Sequence, residues 1–150
     1  MSYNVWFGDV KMEERMEAIG HLVKQYSPDI IFFRRSLQIS MNFLRVQGGG
    51  VLNEPSVLLT DAKTRIYFCM LLSKLRVKNF MSKPFVKSSM GRELCAAEID
   101  VGSNKTLVIA TSHLESLSPN SEKWVSQAEE ALRFLEQFSN VIFGGDMNWD

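Results

Sequence analysis

The segment Val141–Asp150 has the sequence Val-Ile-Phe-Gly-Gly-Asp-Met-Asn-Trp-Asp and joins an apolar run to a polar loop. The apolar run predicts a buried strand, and the glycine pair allows a sharp turn and the close approach of a substrate. Proteins of the α/β class place their chemistry in loops that follow strands. Asp146 can hold a cation or orient a water molecule, and Asn148 can donate a hydrogen bond to a phosphate oxygen. This segment therefore predicts an α/β fold with a functional site at the end of this strand.

Two amphipathic helices and several strands are expected before this segment. Apolar residues at helical spacing predict one helix around Met12–Tyr26 and a second around Trp124–Phe138. Strands are expected at 3–7, 29–33, 66–73, 75–80, 93–101 and 106–111. This order of elements predicts a mixed α/β domain built from layers.

Composition limits the class of protein but does not identify a partner. The 150 residues suit one domain, and the equal numbers of basic and acidic residues, 17 of each, favour no nucleic-acid partner by net charge. The segment from Lys63 to Arg92 carries only basic charges, which suits either phosphate binding or an ordinary solvated face. Cys69 and Cys95 lie in apolar runs and predict buried thiols in a reducing compartment. No apolar run approaches the ~20 residues of a membrane span, so no membrane partner is expected.

The polar residues that follow strands are ambiguous when each is taken alone. The Asp-x-Asn loop at 146–148 is also a common structural turn. His113, which follows the strand at 106–111, suits the stabilisation of a phosphoryl oxygen or proton transfer, but an isolated loop histidine is more often structural. Asn4 either places an amide at the same sheet edge or is an ordinary polar strand residue.

Four motifs, taken together and in this order, resemble those of the endonuclease/exonuclease/phosphatase family. They are Ser-Tyr-Asn at 2–4, Pro-Asp-Ile-Ile-Phe-Phe at 28–33, Thr-Ser-His-Leu-Glu-Ser at 111–116 and Val-Ile-Phe-Gly-Gly-Asp-Met-Asn at 141–148. Within the family, the sequence is most similar to the plant-type form of the branch that removes tyrosine from DNA 5′ ends. The resemblance covers 1–33 and about 65–150. It implies a four-layer sandwich of two sheets, of which 1–150 would be the N-terminal portion with the C-terminal part missing.

The resemblance also implies an activity and a set of site residues. The activity is Mg²⁺-dependent hydrolysis, with Mn²⁺ as the alternative ion, of the bond between a DNA 5′ phosphate and a tyrosine or peptide, in DNA repair. The implied location is nuclear, with the cytoplasm as an alternative, and single-stranded DNA is a further implied partner. Asp146 would bind the metal and activate the attacking water, Asn148 would hold the phosphate, and His113 would stabilise charge on its oxygens. The implied substrate-binding residues are Asn4, Ser112, Glu115, Ser116 and Trp149.

Two departures from the family pattern predict that the chain as written is inactive. The family follows its Ile-Ile-Phe-Phe strand with Gln-Glu, and that Glu is its main metal ligand. Here Arg34 and Arg35 occupy the two positions, and a guanidinium cannot ligate Mg²⁺. Trp6 stands at the position of the family's other metal-associated acid. The chain also ends where the family domain continues into a Ser-Asp-His motif, so exposed apolar faces are expected.

The segment from Arg34 to Lys63 shows neither the spacing of apolar residues typical of a helix nor the alternation typical of a strand. It also contains three consecutive glycines. One permitted back-translation of 33–43, read in a shifted frame, gives Phe-Gln-Glu-Val-Thr-Pro-Asn-Ile-Tyr-Glu-Phe, which restores the missing Gln-Glu. We therefore expect an out-of-frame segment, which sequencing of the gene and transcript would test.

Two other functions fit the same residues. One is another enzyme of the family, an abasic-site endonuclease or an RNA deadenylase. The other is a non-catalytic module that binds DNA ends through the basic segment from Lys63 to Arg92, for which salt-dependent binding without Mg²⁺-dependent turnover is expected.

Overall fold

The computed structural model describes residues 1–6, 8, 10–36, 54–55 and 68–149 and divides into two compact units, Met1–Leu75 and Arg76–Asp150. The elements, in chain order, are β1 (Ser2–Asn4), α1 (Met12–Tyr26), β2 (Ile30–Ser36), β3 (Glu54–Pro55), β4 (Phe68–Ser73), β5 (Val77–Pro84), β6 (Glu93–Asp100), β7 (Thr106–Ser112), α2 (Ser121–Leu135) and β8 (Val141–Phe143). Each unit holds one four-stranded sheet and one of these helices. Among the described helices, none has both the length and the apolar character needed to cross a membrane.

The first unit packs α1 against a sheet with the order β1-β2-β4-β3. β1 runs parallel to β2, and β4 is antiparallel to both of its neighbours. Met16 and Val23 on α1 pack with alternate side chains of β2 and β4, including Phe33 and Met70. This packing confirms the helix predicted from its apolar spacing. Tyr26 is exposed instead of continuing the apolar face, because it lies in the last turn before the chain leaves the helix.

The second unit carries the sheet β5-β6-β7-β8, with α2 packed against it. β5, β6 and β7 form an antiparallel meander, whereas β8 returns parallel to β7 after α2. A parallel connection of this kind needs a crossover element, which here is the helix. Ala131 and Leu135 of α2 cover Ala96 and Ala110 of the sheet. The carboxyl ends of β7 and β8 therefore lie at the same edge of the sheet.

Two sequence predictions about strands need correction. The regular pattern was expected to end at Arg34, but β2 continues through Arg34 and Arg35 to Ser36, because its backbone still pairs with β1 and β4. A further short strand, β3, lies inside the segment that was expected to be irregular. Residues 37–53 and 56–67 lie outside the described part of the chain, and the out-of-frame hypothesis for them stays a prediction.

The structure also tests the predicted burial of β8 and of the two cysteines. β8 was expected to be buried, but Ile142 is 53% exposed, since Val141 and Phe143 take the face that packs with α2 and Ile142 lies on the opposite face at the edge of the described sheet. Cys69 and Cys95 are buried and form no disulfide, as predicted.

Candidate functional site

The ends of β7 and β8 bring His113 and Asp146 together. The two residues form a parallel bridge beyond the regular pairing of the strands. The Asp146 amide donates to the Ser112 carbonyl at 3.0 Å, and the Leu114 amide donates to the Asp146 carbonyl at 3.0 Å. The backbone therefore fixes the two side chains at one sheet edge, which confirms that His113 and Asp146 share an edge.

The His113 imidazole and the Asp146 carboxylate face each other at this edge. The distance from His113 Nε2 to Asp146 Oδ2 is 3.7 Å, which is within ion-pair range but longer than a hydrogen bond. The His113 side chain is 2% exposed and that of Asp146 is 27% exposed. The pair thus combines a buried imidazole with a carboxylate that reaches the surface. Such a pair can move a proton or neutralise charge on a bound phosphoryl oxygen.

Asn148 lies at the same edge of the sheet, in the loop after β8. Its backbone lies in the left-handed region, with φ of 52°, which Asn tolerates better than most residues. Its Nδ2 donates to the Leu114 carbonyl at 2.9 Å, and its backbone amide donates to Asp146 Oδ1 at 3.3 Å. One N–H of the side-chain amide is thus used to join the two loops, and the second is the group that could donate to a phosphate oxygen.

Of the glycine pair before Asp146, only Gly145 lies against the protein's own backbone. A Cβ on Gly145 would lie 2.1 Å from the carbonyl oxygen of Ser112, whereas one on Gly144 would meet nothing within 4 Å. Neither residue lies in the left-handed region. Gly145 is therefore required by the close approach of the protein's own backbone at the end of β7. The sharp turn and the close approach of a substrate stay predictions.

Glu115 and Ser112, which the resemblance places beside a DNA end, are both fully buried. Ser112 Oγ donates to the Glu93 carbonyl at 2.9 Å. The Glu115 carboxylate accepts hydrogen bonds from Ser88 Oγ and the Ser89 amide, each at 3.0 Å. These hydrogen bonds within the protein indicate a supporting role for both side chains, and their contact with a DNA end stays a prediction.

Sequence reasoning missed Gln127, which completes the surroundings of Glu115. Gln127 Nε2 donates to the Glu115 carboxylate at 3.2 Å and to the Lys87 carbonyl at 2.7 Å, and its Oε1 accepts the Glu115 amide at 2.8 Å. The feature of the sequence that could have identified Gln127 is its position on the apolar face of α2, in line with Ala131 and Leu135. A buried glutamine at such a position needs polar partners.

The remaining predicted substrate-binding residues are at or near the surface. Ser116 is partly buried, with Oγ 3.6 Å from Met90 Sδ. Trp149 is 64% exposed and directly follows Asn148. Their proposed contacts with a DNA end stay predictions.

Asn4 and the two arginines belong to the first unit. Asn4 is exposed at the end of β1 and pairs in register with Arg34 on β2. The buried Arg34 donates from Nη1 to Ser2 Oγ at 2.5 Å. Arg35 is described only by its backbone. The predicted pocket shared by Asn4 and Asp146 would join residues of different units, and it stays a prediction.

The described residues do not fit a Mg²⁺ site. Within the described ranges, no cluster of three or more His, Cys, Asp or Glu could hold a metal ion. Asp146 contributes a single carboxylate beside an imidazole, and the end of β2 carries Arg34 and Arg35 where the resemblance expects Gln-Glu. Mg²⁺ prefers several oxygen ligands and would be repelled by a guanidinium.

In the second unit, the basic segment has two of its lysines in ion pairs and one arginine buried. Lys78 Nζ lies 3.9 Å from Asp100, and Lys83 Nζ lies 3.6 Å from Glu130. Arg92 is buried. The alternative in which this segment binds DNA stays a prediction.

Comparison with known proteins gives relatives of one kind, although no family model matches the chain. Tyrosyl-DNA phosphodiesterase 2 of Gallus gallus is 30% identical over 142 residues, which are 91% of this chain and 37% of that protein. The crystal structure of D. rerio TDP2 complexed with single-strand DNA product superposes with a TM-score of 0.85 at 22% identity, covering 99% of this chain and 60% of that one. An endonuclease/exonuclease/phosphatase from Beutenbergia cavernae superposes with a TM-score of 0.67 at 12% identity, covering 89% and 42%. The chain thus spans little more than a third of the length of its Gallus gallus relative. The mixed α/β fold predicted from the motifs is confirmed.

Proposed function

We propose that this chain, which is similar to tyrosyl-DNA phosphodiesterase 2 and has the endonuclease/exonuclease/phosphatase fold, carries part of a site for tyrosine-bearing 5′ ends of single-stranded DNA. The observation that carries the proposal is the bridge between His113 and Asp146 at the ends of two parallel strands. The proposed parent reaction is metal-dependent hydrolysis of the phosphotyrosyl bond during DNA repair in the nucleus. We further propose that this chain binds such ends but hydrolyses them poorly.

The proposed roles follow from the groups at the sheet edge. A protonated His113 would neutralise charge on a phosphoryl oxygen, and the second N–H of Asn148 would donate to another. The Asp146 carboxylate is placed to accept a proton from a water molecule at the surface. Binding therefore needs only groups that the chain possesses.

Poor hydrolysis is proposed because charge neutralisation in the transition state is incomplete. Phosphodiester cleavage draws much of its rate from a cation that stabilises the developing charge. In the family that the chain resembles, an acid holds this cation, and Arg35 stands at the position of that acid. With a basic residue there, we expect Mg²⁺ to have no effect on DNA binding and to support little or no release of tyrosine.

Binding is tested with the whole chain and a 3′-fluorescein-labelled oligothymidylate that carries a 5′ tyrosyl phosphate, a 5′ phosphate or a 5′ hydroxyl. Fluorescence anisotropy should give dissociation constants about tenfold tighter for the two phosphate-bearing ends, equal to about 1.4 kcal/mol. The substitution Asn148→Gly retains the left-handed backbone but removes the amide, and should abolish most of this preference. Asn104→Gly is the matched control, because Asn104 has a similar φ of 58° in the turn between β6 and β7. Equal binding of all three ends would refute the proposed site.

The proposed metal defect is tested by restoring Gln-Glu through Arg34→Gln combined with Arg35→Glu. The restored chain should bind the 5′-phosphate end more tightly when Mg²⁺ is added, whereas the original chain should not respond. A Mg²⁺ response of equal size in both chains would show that Arg35 does not prevent metal binding.

A further inference from the structure

Trp6 and Arg15 form an aromatic and cationic surface beside the end of β1. The Trp6 side chain is 52% exposed, although tryptophan is usually among the more buried residues. The guanidinium carbon of Arg15 lies 4.9 Å from the centre of the Trp6 ring, within the range of a cation–π contact.

Arg15 donates hydrogen bonds to three backbone carbonyls near Trp6. Its Nη1 donates to the Trp6 carbonyl at 2.8 Å, its Nε donates to the Val10 carbonyl at 3.0 Å, and its Nη2 donates to the Gly8 carbonyl. The guanidinium thus ties three points of the loop to the first turns of α1. A ligand that binds the loop would lose little of its binding free energy to ordering it.

Gly8 lies close against the indole of Trp6. A Cβ at Gly8 would lie 2.5 Å from the Trp6 ring, so a larger residue there would require the ring to shift. With the loop and Arg15 packed against it, the ring still keeps about half of its surface open. An indole that is fixed on one side and open on the other has the form of a stacking platform.

We propose that Trp6 is a binding site for a nucleobase of single-stranded DNA, and this inference rests on the function proposed above. Stacking on an aromatic side chain accepts any base, because every base has a π face. Asn4 lies two residues earlier, at the exposed end of β1, so the base site and a polar group lie on the same strand end. The site therefore binds DNA strands without preference for sequence.

The test compares a 5′-phosphorylated oligothymidylate with a fully abasic strand of the same length and label. Trp6→Ala should weaken binding of the oligothymidylate about tenfold and leave binding of the abasic strand unchanged. Trp6→Phe, which keeps a ring, should stay within about threefold of the original chain. Tyr26→Ala is the matched control, since Tyr26 is an exposed aromatic residue at the other end of α1, and it should change neither dissociation constant.

The inference is overturned if Trp6→Ala and Tyr26→Ala bind the oligothymidylate equally, or if Trp6→Ala weakens both strands alike, which would indicate general damage to the loop. Failure of the proposed function gives a different result. In that case a 5′ hydroxyl end binds as tightly as a 5′ phosphate end, whatever residue stands at position 6.

Discussion

The substitution Glu115→Ala tests whether the buried polar cluster behind the site holds the second unit together. The Glu115 carboxylate is 0% exposed and accepts hydrogen bonds from Ser88, Ser89 and Gln127. Alanine would leave these three donors without their acceptor in a place where water has little access. Each lost hydrogen bond to a charged group costs about 1.5–3 kcal/mol, and the costs are not fully additive. We therefore expect the free energy of unfolding to fall by about 3–5 kcal/mol.

The measurement is urea unfolding of the whole chain, followed by circular dichroism. Glu115→Gln should have an intermediate effect of about 1–2 kcal/mol, because one oxygen is retained while the new NH₂ group faces donors. Glu136→Ala serves as the control at an exposed glutamate and should change stability by no more than about 0.5 kcal/mol. A loss below about 1 kcal/mol for Glu115→Ala would refute the view that the cluster is stabilising.

Two further predictions concern the glycine pair and the thiols. Gly145→Ala should destabilise the chain by about 2 kcal/mol and weaken binding of 5′-phosphate DNA, because the new Cβ would collide with the end of β7. In the same urea titration, Gly144→Ala should stay within about 1 kcal/mol of the original chain. Cys69 and Cys95 should react with a thiol reagent only at the rate of unfolding, because both are buried, and rapid reaction in the absence of urea would contradict this burial.

Regular secondary structure was largely predictable because it depends on local patterns. The spacing of Met16 and Val23 identified α1, and the apolar run at the start of β2 identified a strand. The length of β2 was not predictable in this way. Arg34 remains in the strand because its backbone pairs with that of Asn4, and such pairing does not depend on which side chain is present.

The candidate site was only partly predictable, since residue types alone do not show which side chains are buried. Within the motif at 111–116, His113 and Glu115 look equally polar. His113 turns towards Asp146 at the sheet edge, whereas Glu115 turns inward to Gln127, a residue of α2 that no strand motif contains. Trp6 and Arg15 lie nine residues apart in the chain, and their contact is a feature of the tertiary structure.

The sequence by itself determined the order of strands and helices and the motifs that identify the fold, because both depend on residues that are close together in the chain. Only the tertiary structure decided that His113 meets Asp146, that Glu115 is buried and that Ile142 is exposed. The physical reason is that these outcomes depend on β8 pairing in parallel with β7 after the α2 crossover, at the edge of the sheet. Pairing between distant segments sets which side chains lose contact with water, and local periodicity cannot specify it.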